Sequence, residues 1–285
     1  MKFSIIGDLH GSLVYLRCIK RKIRKTDALF ITGDIAGTLS YRLILKSILK
    51  NKKISRENYA ELVYGKYLTQ FVNFQRKTAK RIFKILSKTK IPVFFTHGNS
   101  DSEAMIEFFK KYSEKNTLFH YLGKSTIKHN NLIVAGYGYC SPAEYRTPFQ
   151  TPGEKSKSEI VEDLSLLENH ISKHKKNKND LIIGLFHEPP KNTKLDFIEW
   201  KSTHSGSELI HAHTQDVPYD LILAGHIHES QNYEIQENEI LVNPGPLVNR
   251  KWAIVDIKNK TVSLKKIPII LSAKGFIYRT RETFK

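Results

Sequence analysis

Short apolar runs recur along the chain and alternate with longer polar or helical segments. The runs are rich in Ile, Val and Phe, which is typical of strands buried on both faces. The first connections are long enough to hold helices, whereas the last three runs follow each other closely. The predicted strands lie at 3–6, 28–31, 93–95, 132–135, 181–186, 221–224, 239–242, 252–257 and 261–265. This pattern predicts an α/β fold with a mixed sheet, or a pair of sheets, flanked by helices.

Three segments show helical signals. The first lies within 41–90, where Ser55 is predicted to cap a helix that begins near Arg56. Its apolar side would consist of Tyr59, Leu62, Val63, Phe71, Phe74, Ile82, Phe83 and Leu86. The second spans 156–174, with Ile160, Leu164, Leu167 and Ile171 facing inward. The third begins near Ser207, and His211 and His213 are expected on its surface.

The sequence contains no internal repeat and no Gly/Ser-rich or Pro-rich linker, so a single domain is the simplest organisation. We expect it to span residues 1–273, with a basic helical insertion at about 41–90 and a tail at 274–285. No run of 18 apolar residues occurs, so no membrane segment is expected. The N-terminus lacks the pattern of a secretory signal. With only Cys18 and Cys140 present, a reducing, cytoplasmic setting is the default.

The net charge of +18 is concentrated in one part of the chain. Between Arg17 and Lys90 there are 20 Lys/Arg and four Asp/Glu, a net of +16. On the predicted helix, the basic residues at helical spacing form a stripe, namely Lys77, Lys80, Arg81, Lys84 and Lys88. Such a surplus is expected of a protein that binds a polyanion, but a solvated Lys-rich helix face would show the same pattern. Nucleic acid is therefore one candidate partner.

Polar side chains follow five of the apolar runs at the point where each run ends, usually after a glycine. Ligands of α/β sheets bind beyond the carboxyl ends of strands, so these side chains are expected at one rim. Carboxylate, imidazole and amide oxygens, with no thiolate among them, suit divalent Mn, Fe, Zn, Ni or Mg. Seven side chains exceed the needs of one ion, which predicts two ions. The candidate metal ligands are Asp8, His10, Asp34, Asn99, His187, His226 and His228.

Asp8-x-His10, Gly33-Asp34, Gly98-Asn99-x-Asp101, His187 and Gly225-His226-x-His228 together resemble the signature of the calcineurin-like metallophosphoesterases. The stretches 187–196, 204–207 and 225–229 are similar to an archaeal-type branch of that superfamily. The resemblance implies a two-sheet sandwich flanked by helices, with a dinuclear site at the strand ends and Mn²⁺ as the favoured metal. By the same resemblance, one ion is held by Asp8, His10, Asp34 and His228, and the other by Asp34, Asn99, His187 and His226. Asp34 would bridge them.

The implied reaction is hydrolysis of a phosphate ester by a hydroxide bound to the two ions. Many members have a His directly after the Asn, where it protonates the leaving oxygen, but this chain has Ser100. A hydroxyl is too weak an acid for that role at neutral pH, which favours diesters with good leaving groups over monoesters. His204, and with less support His97, could supply the acid or contact the substrate. Asp101 is expected to orient Asn99 or a ligand His.

Two alternatives to the phosphodiesterase hypothesis remain at this stage. The basic region at 17–90 favours a nuclease that uses the same site on DNA or RNA. A non-catalytic scaffold that kept the fold is the other alternative, and the complete set of ligand residues argues against it.

Overall fold

The computed structural model describes residues 1–36, 62–142, 151–174 and 177–269. The first part of the predicted insertion, including Ser55 and Tyr59, and the predicted tail at 274–285 lie outside these residues. The described part of the chain holds two six-stranded sheets, each covered by helices on its outer face. The predicted α/β sandwich of two sheets flanked by helices is confirmed.

The first sheet contains mostly parallel strands from the N-terminal half. The strands β1 (Lys2–Ile6), β2 (Ala28–Ile31), β3 (Val93–Phe95) and β4 (Phe119–Tyr121) are parallel, and β1 is central. Two later antiparallel strands, β13 (Lys251–Asp256) and β14 (Thr261–Lys266), extend the sheet beyond β1. The outer face is covered by α1 (Leu13–Ile23), α2 (Leu68–Leu86) and α3 (Glu103–Glu114).

The second sheet is built from strands between residues 124 and 243. Its parallel centre consists of β6 (Leu132–Tyr137), β7 (Leu181–Phe186), β10 (Leu221–Leu223) and β12 (Ile240–Asn243). The antiparallel edges are β5 (Lys124–His129) and β11 (Asn232–Ile235). Its outer face packs on α4 (Lys157–His174) and α5 (Glu208–Asp216). A short hairpin of β8 (Phe197–Ile198) and β9 (Thr203–His204) lies in the loop after β7.

The predicted helix faces are where the sequence placed them. Ile160, Leu164, Leu167 and Ile171 of α4 are buried, as are Phe71, Ile82, Phe83 and Leu86 of α2. All five residues of the basic stripe on α2 are exposed. Ser207 caps α5, where its hydroxyl accepts a hydrogen bond from the Ile210 amide at 3.4 Å. No helix among the described residues is both long enough and apolar enough to cross a membrane.

His213 on α5 is buried, so its predicted surface position is wrong. Its Nε2 lies 2.9 Å from the Tyr219 hydroxyl, and its ring contacts Phe186. Burial lowers the pKa of His213 to about 4 against the partial opposition of Asp216. The unfolded pKa is about 6.5, so the unfolded chain binds the extra proton in this range. The ring therefore favours folding above pH 6.5 and loses that contribution as the pH falls towards 4.

We expect His213→Gln to flatten the pH dependence of stability between pH 6.5 and 4 by about 3 kcal/mol in total. The free energy of unfolding in urea, measured across this range, tests the expectation. Because His226 titrates in the same pH range, the dependence of the unfolding free energy on pH should become weaker but not disappear. Exposed His170→Gln is the matched control and should leave the slope unchanged. An unaltered slope in His213→Gln would contradict the role assigned to this ring.

Candidate metal centre

The candidate ligands lie in turns just beyond the ends of the parallel strands. Asp8, His10, Asp34 and His226 all have positive φ, between 39° and 64°. Asp and His tolerate this left-handed region better than most side chains, and such strain collects at functional sites. Leu9 and Ile227, which lie between the paired ligands, are buried. The tight turn after each strand therefore places both ligands on the polar side and the apolar residue between them in the core.

One group of ligand atoms comes from Asp8, His10 and His228, and they lie within 4.8 Å of one another. The His10 and His228 Nε2 atoms are 3.4 Å apart, and His228 Nε2 is 3.4 Å from Asp8 Oδ1. The His10 ring is buried, and its Nδ1 has no hydrogen-bond partner. Imidazole nitrogens and a carboxylate thus point at one small volume, which is the arrangement that a divalent cation stabilises.

A second group surrounds His187. Its Nε2 lies 3.2 Å from Asn99 Oδ1 and 3.9 Å from Asp34 Oδ1. Its Nδ1 lies 2.7 Å from the Thr32 carbonyl, to which an Nδ1–H can donate. That bond leaves the Nε2 lone pair directed at the centre, as in most metal-binding histidines. The His226 ring packs against that of His187, with 5.1 Å between centroids.

Asp34 lies between the two groups. Its Oδ2 is 3.5 Å from His10 Nε2, whereas its Oδ1 is 3.9 Å from His187 Nε2. Ser100 holds this carboxylate from one side: its amide donates to Oδ1 at 2.9 Å and its hydroxyl to Oδ2 at 3.0 Å. The two oxygens of Asp34 therefore lie near different candidate ligands, His10 for Oδ2 and His187 for Oδ1. Suitable atoms of Asp8, Asp34 and His187 also lie within 4.8 Å of one another.

The electrostatics suit metal binding. Burial lowers the pKa of His226 to about 4, with the neighbouring His187 adding to the effect. Burial also lowers the pKa of His10, although Asp34 and Asp8 oppose it. Both rings are thus neutral at physiological pH, the form in which histidine binds metals. Burial disfavours the charged form of His228 as well, but its hydrogen bond to Asp8 and the charges of Asp8 and Asp34 together outweigh this and raise its pKa to about 9.

Asp101 acts through the main chain. Its carboxylate accepts hydrogen bonds from the amides of Gly98 at 3.1 Å, Ile35 at 3.1 Å and Ala36 at 3.3 Å. It thereby connects the turn that bears Asp34 to the turn that bears Asn99. Burial raises the pKa of this carboxyl to about 7, and the charge of Asp34 adds to the rise. The expected bond from Asp101 to Asn99 or to a ligand His is replaced by these backbone bonds, so Asp101 positions two loops.

His204 lies apart from the candidate ligands. Its Nδ1 is 2.7 Å from Asp196 Oδ1, and its side chain is 36% exposed. It lines a cavity of about 930 Å³ together with Phe197, Trp200 and Glu229. His97, the other candidate acid, is fully buried, and its Nδ1 lies 2.7 Å from the Tyr121 hydroxyl. It packs in the core and faces no substrate.

Several contacts in the centre have no local signal in the sequence. Asn99 donates its side-chain amide to Thr151 Oγ1 at 3.2 Å, and Thr151 in turn donates to Glu154 at 2.7 Å. Cys140 lies beside His187 and His226, and suitable atoms of the three are within 4.8 Å of one another. The ligand set inferred from the sequence contained no thiol, so the structure adds a cysteine to the neighbours of that set. These residues meet the ligands only through folding, so no sequence spacing could reveal them.

Comparison with known sequences identifies the family. The family model described as "Calcineurin-like phosphoesterase" matches residues 1–230. The chain belongs to the calcineurin-like phosphoesterases. It is therefore a hydrolase of the phosphoesterase class that uses divalent metal ions, and the scaffold alternative is set aside. The groups of metal-ligating residues described above agree with this assignment.

The relatives of this phosphoesterase extend over much of its length. It is 30% identical to an uncharacterised protein of Methanocaldococcus jannaschii, MJ1162, over 170 residues that make up 59% of this chain and 68% of that protein. Among solved structures, TT1561 of Thermus thermophilus aligns with a TM-score of 0.59 at 14% identity, covering 94% of this chain and 99% of that one. A further crystal structure aligns with a TM-score of 0.68 at 15% identity and the same coverage. These structures share the fold.

Proposed function

We propose that this phosphoesterase hydrolyses phosphodiesters at a dinuclear site in which Asp34 bridges the ions. One ion would be held by Asp8, His10, Asp34 and His228, and the other by Asp34, Asn99, His187 and His226. The observation that carries the proposal is that the two oxygens of Asp34 face separate groups of ligand atoms. When bound, the two ions would neutralise phosphate charge and activate water for attack on phosphorus. Manganese is the metal that we favour.

The chain's own residues hold this arrangement in advance. The Thr32 carbonyl orients His187, Thr151 orients Asn99, and Ser100 orients Asp34. Preorganised groups need no rearrangement as charge develops, which is how electrostatic stabilisation lowers a barrier. The Ser100 hydroxyl, at the position where many relatives have the histidine acid, is itself engaged in donating to Asp34.

Diesters are favoured because Ser100 provides no acid at that position. A good leaving group departs from a diester without being protonated, whereas a poor alkoxide leaving group requires an acid. His204 is the imidazole that could reach a substrate from the neighbouring cavity. Since it is partly exposed and oriented by Asp196, we propose that it contacts the substrate.

The cavity that His204 lines favours a substrate with a flat organic group. It lies between the loop that follows His187 and the loop that follows His228. Trp200 is 72% exposed and Phe197 37% exposed at its wall, and exposed aromatic rings can stack on a heterocycle. Glu199, Glu229 and Glu234 line the cavity against Lys194. The Lys201 ammonium also lies 4.8 Å from the Trp200 ring centroid, which leaves a slight acidic excess that disfavours a second phosphate. A diester with a single phosphate and an aromatic or nucleoside group fits these features.

Hydrolysis of bis-p-nitrophenyl phosphate and of p-nitrophenyl phosphate, with Mn²⁺ present, tests the proposal. We expect the diester to be cleaved with the larger kcat/KM. Failure to cleave either compound with Mn²⁺, Ni²⁺ or Mg²⁺ would contradict the proposed activity, and a larger kcat/KM for the monoester would contradict the diester preference.

Ser100→Ala and Ser100→His form a matched pair, because both lose the hydroxyl bond to Asp34. A higher rate on an alkyl phosphate monoester in the histidine variant alone would show that the missing acid limits that reaction, because an alkoxide leaving group requires protonation.

A nuclease is the second candidate, and the exposed basic stripe on α2 favours it. Phosphate contacts by Lys and Arg make nucleic-acid binding fall steeply with salt. Binding of single- and double-stranded oligonucleotides across a salt series tests this function. Lys77→Gln with Lys84→Gln should then weaken binding and lower the salt slope for duplex DNA by about 2. The control pair Lys111→Gln and Lys115→Gln, exposed on or next to α3, should leave the slope unchanged. Absence of salt-dependent binding would exclude the nuclease.

We further propose a cytoplasmic setting for this enzyme. Cys18 and Cys140 are both free thiols, which supports a reducing compartment.

A further inference from the structure

Cys140 occupies a fixed position directly after the loop that follows β6. Its amide donates to the Gly153 carbonyl at 2.8 Å, and its carbonyl accepts from the Lys155 amide at 3.0 Å. The residue is only 1% exposed. These two bonds hold the main chain of Cys140 on both sides, and burial restricts the side chain.

The surroundings of the thiol are those of a ligand atom. Its Sγ lies 4.0 Å from His226 Nδ1, and Sγ and suitable ring nitrogens of His187 and His226 lie within 4.8 Å of one another. A sulfur and a nitrogen bound to one zinc ion, with bonds of about 2.3 Å and 2.0–2.1 Å, are separated by roughly 3.5–4 Å. The observed spacing therefore needs little movement to reach coordination distance.

A buried cysteine often serves merely as a small apolar side chain. Cys140 does not fit that role, because it belongs to none of the three apolar clusters formed by the described residues. Its side chain instead faces two imidazoles of the candidate centre. Packing alone gives no reason for a thiol at this position.

We propose that the Cys140 thiolate is an additional ligand of the ion held by Asn99, His187 and His226. The inference rests on the proposed dinuclear site and adds a sulfur donor to one half of it. On metal binding, the S–H proton leaves to solvent and the sulfur lone pair forms the bond to the ion. Thiolate is a soft ligand, so this position would prefer Zn²⁺ or Co²⁺, while the other, with carboxylate and imidazole donors only, would accept Mn²⁺. The enzyme would then hold two different metals.

Cobalt substitution tests the proposal by spectroscopy. Metal-free protein titrated with Co²⁺ should develop visible ligand-field absorption together with a near-ultraviolet band from sulfur-to-cobalt charge transfer. Cys140→Ser should lose the charge-transfer band and keep visible absorption. Cys18→Ser, which changes an exposed cysteine, should keep both. A charge-transfer band that is absent from the native protein, or that persists in Cys140→Ser, overturns the proposal.

A metal site without a thiolate ligand and a protein without the metal site would give different spectra. If Co²⁺ produces no ligand-field absorption in the native chain, the dinuclear site itself is wrong. If Cys140→Ser does not fold, X-ray absorption of the zinc-loaded Cys18→Ser protein decides the question without altering Cys140. A sulfur scatterer at about 2.3 Å supports the proposal, and a shell of nitrogen and oxygen alone contradicts it.

Discussion

Asp34→Asn is expected to remove the bound metal and to lower hydrolysis of a diester by on the order of 10³-fold or more. Each tenfold loss corresponds to about 1.4 kcal/mol of transition-state stabilisation, and a carboxylate facing both ions contributes to every part of that stabilisation. Asparagine is preferable to alanine here because Asp34 has φ of 48°, a conformation that Asn tolerates and most side chains do not. The fold should therefore survive the loss of charge.

Metal content per chain, measured by plasma mass spectrometry, and kcat/KM for bis-p-nitrophenyl phosphate check this expectation together. Asp216→Asn, which changes an exposed carboxylate at the end of α5, is the control and should retain both metal and activity. An Asp34→Asn protein that still holds two ions would show that this carboxylate does not bridge them.

Gly98→Ala should destabilise the protein by about 3 kcal/mol or more and empty the metal centre. A Cβ at this position would lie 2.3 Å from Asp34 Oδ1, 2.5 Å from His187 Cε1 and 2.6 Å from the Asp34 amide nitrogen. One of these atoms is backbone and the others belong to buried side chains that cannot move aside. Accommodation would separate the turns that carry Asp34 and Asn99.

Gly65→Ala is the matched control. A Cβ at Gly65 would meet no atom within 4 Å, and the residue lies in the short π-helical turn Leu62–Lys66. The substitution should be neutral or slightly stabilising, because alanine restricts the unfolded chain more than glycine does. Urea unfolding of both variants gives the comparison. Equal stability of the two would mean that the turn at Gly98 has more room than the structure shows.

Most strands that the sequence predicted contain a buried apolar run, although the partly exposed edge strand β14 was predicted too. The strands β1, β2 and β3 were predicted correctly because every position from Phe3, Ala28 and Val93 onward is buried, and all of these except Ser4 are apolar. The short strands β4, β8 and β9 were missed, as were the edge strands β5 and β11. Their sequences, KSTIKH and NYEI, are largely polar and partly exposed, so they lack an apolar run. Only their pairing with β6 and β12 makes them strands.

The candidate site shows the same division between local and long-range information. The prediction placed Asp8, Asp34 and His226 at one rim because each follows a buried strand, a property that a short stretch of sequence reveals. The need for glycine at position 98 is not visible in the same way, because φ there is not positive and the requirement is space beside Asp34. The Cys140–His226 contact, between residues 86 apart in sequence, has no local pattern at all.

Each sheet of the sandwich supplies part of the ligand set. Asp8, His10, Asp34 and Asn99 follow strands of the first sheet, whereas His187, His226 and His228 follow strands of the second. Two metal ions bound at the proposed site would therefore cross-link the two sheets. Ligands that bind only the folded state stabilise it in proportion to the logarithm of their concentration. Metal supply in the cell would thus set how firmly the two halves are joined, and chelation would loosen the interface between the sheets as well as stop the reaction.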